Sequence, residues 1–267
     1  MNRRDLFKAT AAAAGAAFLP TGNAAADDDA TRRPRLVVRR AHDRGHARHG
    51  WLDAWHSFSF AGYHDPDHMG FRALRVINED RIQGGRGFPM HPHNDMEIIT
   101  YVLEGALEHR DTLGNGGTIR PGDVQRMSAG RGIRHSEFNP QPRDTTHLLQ
   151  IWLLPGKRGI EPSYEQVRLD RDATRDQLML LAAPPDEGGA VTIHTPSRLY
   201  AGVLAAGKQA AHENAQDRHV WIQVARGEGR VNGVPVGAGD GVRTSDPGRL
   251  VLEGTGSGME VLLFDLA

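Results

Sequence analysis

GFPMHPHNDMEI, residues 87–98, sets two histidines, His91 and His93, on either side of Pro92, with Asp95 and Glu97 close behind. Spacing of i, i+2 puts two side chains on the same face of a strand. Pro92 lacks an N–H, which suits a strand edge or a bulge rather than the middle of a ladder. The stretch therefore reads as β structure presenting a pair of imidazoles to one side.

Working outward, the other apolar runs are equally short: RLVVRR, EIITYVLEG, LLQIWLLP, HVWIQVARG, RLVLEG and EVLLFDL. Turn signals such as LGNGGTIRPGD, NPQP and VNGVPVGAGD separate them. One weak helical candidate stands out, RDATRDQLMLLAAP at 171–184. The chain is expected to be all-β, as a barrel or sandwich. A degenerate repeat points to two barrels in tandem. EIITYVLEG runs from Glu97 to Gly105 and HVWIQVARG from His219 to Gly227, each followed by a Gly-Asp corner at Asp123 and Asp240.

A second i, i+2 pair, His135 and Glu137, lies in AGRGIRHSEFN. If the two pairs face each other inside a barrel, three imidazoles and one carboxylate surround one point. That set leaves a divalent ion with a net charge of about +1 and open coordination positions, as oxygen activation requires. Glu97 is a rival carboxylate, because on an unbroken strand it would face the same way as His91 and His93.

HSFSFAGYHDPDHMGFRALRVINEDRI, GFPMHPHNDMEIITYVLEGALEHRD and IRPGDVQRMSAGRGIRHSEFNP resemble the pirin family of the cupin superfamily, and the match continues through LLQIWLLP and EPSYEQ. The second half resembles the second cupin of bacterial pirin-like quercetin 2,3-dioxygenases. The resemblance implies a bicupin, two tandem jelly-roll-like barrels, with one metal in the first. It places the ligands at His91, His93, His135 and Glu137, leaving Glu97 a supporting role. The ion it implies is Fe(2+), with Mn, Ni, Co, Cu or Zn as alternatives.

The second half departs from a metal-binding pattern. Counting back from His219, the positions of His91 and His93 fall on Glu213 and Ala215, and GDGVRTSDPG has no histidine. His212 and His219 are expected to be surface or pocket residues. His42, His46, His49, His56, His64 and His68 are irregularly spaced among arginines and are expected in solvated loops. Trp51, Trp55, Phe58 and Phe60 are expected at the core and barrel mouth.

At the N-terminus, Arg3 and Arg4 precede an apolar run, Ala9–Leu19, too short to span a bilayer. NAAAD then offers cleavage after Ala26, so the segment reads as an export signal. It resembles the twin-arginine type, with Leu6 and Phe7 exchanged relative to the usual order. Expected divisions are a signal at 1–26, a linker at 27–35, a metal-binding domain at 36–166 and a second cupin at 167–267. A formal net charge of −1 argues against binding nucleic acid or an anionic membrane. With no cysteine, the fold is held without disulfides.

The expected protein is a periplasmic monomer. The resemblance implies a dioxygenase that cleaves flavonols with O2 and releases carbon monoxide, and Glu137, or Glu97 behind it, is expected to be the general base. The alternative is a metal protein of the family with a redox-responsive or interaction role and no turnover.

Overall fold

The structure is a computed structural model and describes residues 33–267. The signal segment and the first part of the linker lie outside the described residues. No helix among the described residues is long and apolar enough to cross a membrane.

The first half supplies β1 (Val37–Arg39), β2 (Gly45–Arg48), β3 (Leu52–His56), β4 (Leu74–Ile82), β5 (Gly87–His93) and β6 (Glu97–Glu104). After these come β7 (Leu107–Asp111), β8 (Gly116–Ile119), β9 (Asp123–Ser128), β10 (Ile133–Phe138), β11 (Thr146–Leu153) and β12 (Ser163–Arg168). Two sheets form this barrel. One has the order β12-β9-β6-β11-β4-β3-β2, the other β5-β10-β7-β8. β5 is an edge strand, which is where Pro92 fits.

The second half supplies β13 (Met179–Ala183), β14 (Val191–Thr192), β15 (Arg198–Leu204), β16 (Gln209–Asn214) and β17 (His219–Val231). It ends with β18 (Val234–Gly237), β19 (Gly241–Thr244) and β20 (Gly248–Leu266). These join in one sheet of nine strands, because β17 and β20 run on where the first half breaks each into two. The ninth strand is β1, whose Val38 lies opposite Val242, so the start of the first half completes the second barrel.

Period-2 alternation on these strands separates two apolar layers. Ile99, Tyr101 and Leu103 on β6, with Leu149, Ile151 and Leu153 on β11, pack against Leu199, Trp221, Leu262 and Phe264 of the second half. The largest core cluster is thus the seam between the barrels. The opposite faces of the same strands look into their own barrels: Val102 and Leu148 in the first, Val220, Ile222, Val261 and Leu263 in the second. Burial on both faces explains why the runs read as continuous apolar stretches.

The helical candidate at 171–184 is corrected. It holds a single 3-10 turn, Arg171–Thr174, and then β13. Asp170 accepts from the Asp172 N–H, which closes a short turn, and Asp176 takes φ +54, which ends it. Leu181, Ala182 and Ala183 are all buried in succession, as a strand covered on both faces allows and a one-sided helical stripe does not.

Candidate metal centre

β5 and β10 pair antiparallel, with His91 opposite His135 and His93 opposite Ile133. The two i, i+2 pairs therefore stand side by side on neighbouring strands, rather than across the barrel from each other as the spacing alone suggested. The register shifts between His135 and Glu137, so Glu137 lies opposite Phe88. Gly87 makes this closeness possible: a Cβ there would come within 2.1 Å of the Glu137 carbonyl oxygen.

The result is a cluster in which His91, His93 and His135 can each offer a nitrogen within 4.8 Å of the others. His91 Nε2 and His135 Nε2 are 3.0 Å apart, and Glu137 Oε2 is 4.0 Å from His135 Nε2. Two nitrogens about 2.1 Å from one ion, at roughly a right angle, are separated by about that 3.0 Å. Burial, with the neighbouring His135 and His91, pushes His93 down to about 4. Burial, with His91 and His109, pushes His135 down to about 3. Both are neutral near pH 7, the form in which imidazole binds metal.

The hydrogen bonds around the cluster select which nitrogens carry lone pairs. His91 Nδ1 is 2.8 Å from the Pro89 carbonyl, to which only an N–H can donate, so Nε2 carries the lone pair. His109, at 0% exposure, lies outside the two i, i+2 pairs that the spacing singles out. Its Nε2 lies 3.2 Å from Asp111 Oδ2, and its Nδ1 lies 3.4 Å from His135 Nδ1. With Asp111 accepting from His109 Nε2–H, His109 Nδ1 is free to accept from His135 Nδ1–H. That leaves the His135 Nε2 lone pair pointing at His91 Nε2. Two lone pairs at this separation repel unless a cation or a proton lies between them, and the donor set therefore fits a divalent ion.

Asp111 is itself pinned by the Leu113 and Asn115 N–H groups. The alternation in LEHRD, with His109 and Asp111 on one face, was the signal that would have found this pair. His109, His135 and Glu137 also form a second compact group, so both ligand-type clusters among the described residues share His135.

Glu137 is buried, and Gln150 Nε2 donates to both of its oxygens at 3.0 and 2.8 Å. Thr100 Oγ1 donates in turn to Gln150 Oε1 at 3.0 Å.

Glu97 belongs elsewhere. The chain turns between β5 and β6, with Asp95 at φ +47, and the two strands join different sheets. Glu97 shares the face of Ile99 and Tyr101, toward the seam. Its Oε2 accepts from Ser128 Oγ at 2.7 Å, and His194 of the second half is 3.5 Å from its Oε1.

Beside the cluster opens a cavity of about 270 Å³, walled by Leu52, Ala54, Phe60, Phe88 and Trp152. Its polar lining comes from His56, Asn78, Asp80, Gln150 and the cluster itself. His56 is thus buried, not in a solvated loop. It ends β3, its Nδ1 lies 2.7 Å from Asn78 Oδ1, and burial lowers its pKa. His42, His46, His49 and His64 are exposed, and His68 is half-buried against Asp65. Phe58 is a core residue, Phe60 lines the cavity, Trp51 packs on Phe88, and Trp55 stacks on His46. Asp80 is 4% exposed, and burial together with the charges of Glu137 and Glu79 pushes it up to about 8.

In the second barrel, the strand pair matching β5 and β10 is β16 with the first part of β20, where His212 faces Leu250 and Ala210 faces Leu252. Both leucines are fully buried. Glu213 points outward to Arg249, and His219 bonds Ser245.

Residues 37–153 match the family model Pirin, and residues 180–266 match that of the quercetinase C-terminal cupin domain. The chain is 48% identical over 231 residues to quercetin 2,3-dioxygenase of Escherichia coli K12, covering 86% of this chain and 98% of that one. It is 44% identical to a pirin-like protein of Caulobacter vibrioides over 213 residues, 79% of this chain and 91% of the relative. The crystal structure of the bacterial pirin YhhW from Escherichia coli in complex with nickel(II) superposes with a TM-score of 0.81 at 47% identity. The superposition covers 87% of this chain and 99% of that one. With two cupin barrels and the first of them matching the Pirin model, the chain belongs to the pirin family.

Proposed function

We propose that the first barrel holds one divalent metal ion through His91, His93, His135 and Glu137, and that the protein is a dioxygenase cleaving flavonols. The observation that carries this reading is the pair of Nε2 atoms, 3.0 Å apart, facing each other beside an apolar-walled cavity. The ion is proposed to be Fe(2+). The nickel held by the similar Escherichia coli pirin leaves Mn, Ni, Co, Cu and Zn as alternatives.

In this reading the ion supplies Lewis acidity, which lowers the pKa of a bound hydroxyl. Trp152, Phe60 and Phe88 line the cavity with apolar rings and keep water out. Glu137, oriented through both oxygens by Gln150, takes the proton of the flavonol 3-hydroxyl as general base. One O2 is consumed, the heterocycle opens, one carbon monoxide leaves, and both oxygen atoms remain in the depside ester. Glu97 supports the seam and is not a ligand. We read the chain as exported by its twin-arginine segment and acting as a monomer in the periplasm.

The test is metal analysis followed by aerobic incubation with quercetin, reading carbon monoxide release. Wild type and Glu97→Ala should both carry metal and turn over, while Glu137→Ala should lose both. Metal lost from Glu97→Ala and kept by Glu137→Ala reverses the assignment. A loaded protein that releases no carbon monoxide favours the non-enzymatic alternative.

A further inference from the structure

Asp80 lies in the cavity wall and is not one of the proposed metal ligands. It sits on β4 between Ala54 of β3 and Leu148 of β11, deep in the wall of the cavity. Its Oδ1 is buried without a hydrogen-bond partner among the described residues. The other carboxylates nearby are all satisfied. Glu79, the adjacent residue, faces outward to Arg44 and His147 at 2.9 Å each. Glu137 has Gln150, and Asp111 has His109 and a turn. A buried polar group without a partner costs stability, so a fold keeps one where something else supplies the partner.

The cavity is at the small end for a ligand site, so a ligand filling it is pressed against every wall. An apolar group seated on Asp80 would leave the carboxyl buried and unpaired. A hydroxyl seated there both donates and accepts, and so satisfies a carboxyl in either protonation state.

We propose that Asp80 is a specificity-determining residue, whose carboxyl hydrogen-bonds a ligand hydroxyl other than the one at the metal centre. The site therefore selects polyhydroxylated aromatic ligands over those with a single metal-binding oxygen pair. This rests on the reading of the cavity as a flavonol site. Rejection of a ligand lacking the hydroxyl follows from the buried group it leaves unpaired, and sites that read a hydroxyl this way discriminate strongly.

The test uses full-length, metal-loaded protein under nitrogen, with binding measured by calorimetry for quercetin, pyrogallol and 3-hydroxyflavone, which has no hydroxyl beyond position 3. Wild type should bind quercetin at least about tenfold tighter than 3-hydroxyflavone. Asp80→Leu should bring the two within about threefold, and Asp80→Asn, which still hydrogen-bonds, should keep most of the preference. Metal content should be unchanged in both variants. Without ligand, Asp80→Leu should melt higher than wild type, because it removes an unpaired buried group. This arm does not depend on flavonols.

An Asp80→Leu variant that keeps the full preference overturns the proposal, as does one that melts lower because the carboxyl holds the fold together. If wild type ignores quercetin but binds pyrogallol, which carries a third hydroxyl beside a metal-binding pair, and Asp80→Leu loses pyrogallol, the flavonol reading fails and the role of Asp80 stands. Failure of wild type to bind any hydroxylated probe overturns both.

Discussion

The two barrels bury their strands in the same way and differ in what they put inside. In each, alternate residues of the central strands face the shared seam, and the rest face the interior. The second interior is closed with Leu204, Val224, Leu250, Leu252, Val261 and their neighbours. The first places Asn78, Asp80, Thr100, Gln150, Glu137, the buried His135 and the half-buried His91 and His93 on its interior side. Leu250 and Leu252, on the strand that corresponds to β10, show what that strand becomes when it only has to be stable. One barrel is a packed support, and the other gives up packing for a polar, open interior.

The most drastic way to break the comparison is through the ligands. His135→Ala should remove the metal almost completely, measured as metal equivalents per chain. The double variant His212→Ala with His219→Ala should leave it unchanged. Metal lost from the double variant would mean that the second barrel takes part.

Next comes Gly87→Ala. Its Cβ would press on the backbone at Glu137 and Phe138 and separate the two strands that carry the cluster. A loss of about 1–3 kcal/mol in stability is expected, as for other overpacked sites, together with weakened metal binding. Normal melting and full metal content would show that the strands can part without cost.

The two interiors should also respond oppositely to a change of polarity. Leu252→Asn should destabilise by about 3 kcal/mol, because it removes packing and buries an amide. Asp80→Asn should stabilise, with a pH dependence whose sign is fixed. The Asp80 pKa is raised to about 8 when folded, against 3.8 unfolded, so its relative contribution to stability is complete below about pH 3.8 and is lost as pH rises toward 8. The advantage of Asp80→Asn in urea unfolding should therefore grow between pH 4 and pH 8, to the order of a few kcal/mol. A constant difference across that range would mean that Asp80 titrates normally.

The smallest effect is expected from Asp111→Asn, which leaves all proposed ligands in place but disturbs the hydrogen bond that fixes His109 and, through it, His135. Metal affinity in a competition titration should fall about tenfold. Unchanged affinity would mean that the His109–Asp111 pair does not orient His135.

Much of this was legible in the sequence because it depends on spacing. Two i, i+2 pairs and two Gly-Asp corners identify strands, faces and the repeat without tertiary knowledge. What could not be read was which strands become neighbours. His91 and His135 are 44 residues apart, and only the β5–β10 pairing sets them side by side. The position of Glu97 was misleading for the same reason: the turn at Asp95 sends it into the other sheet, toward the seam. His109 and Asp80 lie in runs that look like ordinary strands, and His56 lies among irregularly spaced histidines that read as a solvated loop. Their significance lies in burial and in missing or supporting partners, which are properties of the assembled barrel.

The central claim, one metal centre in the first barrel and a sealed second barrel, is tested most directly by an anomalous difference map from crystals of the metal-loaded protein. The account predicts a single strong peak per chain, within coordination distance of His91, His93, His135 and Glu137. A peak beside Glu97, or a second one between His212 and Leu250, would contradict it.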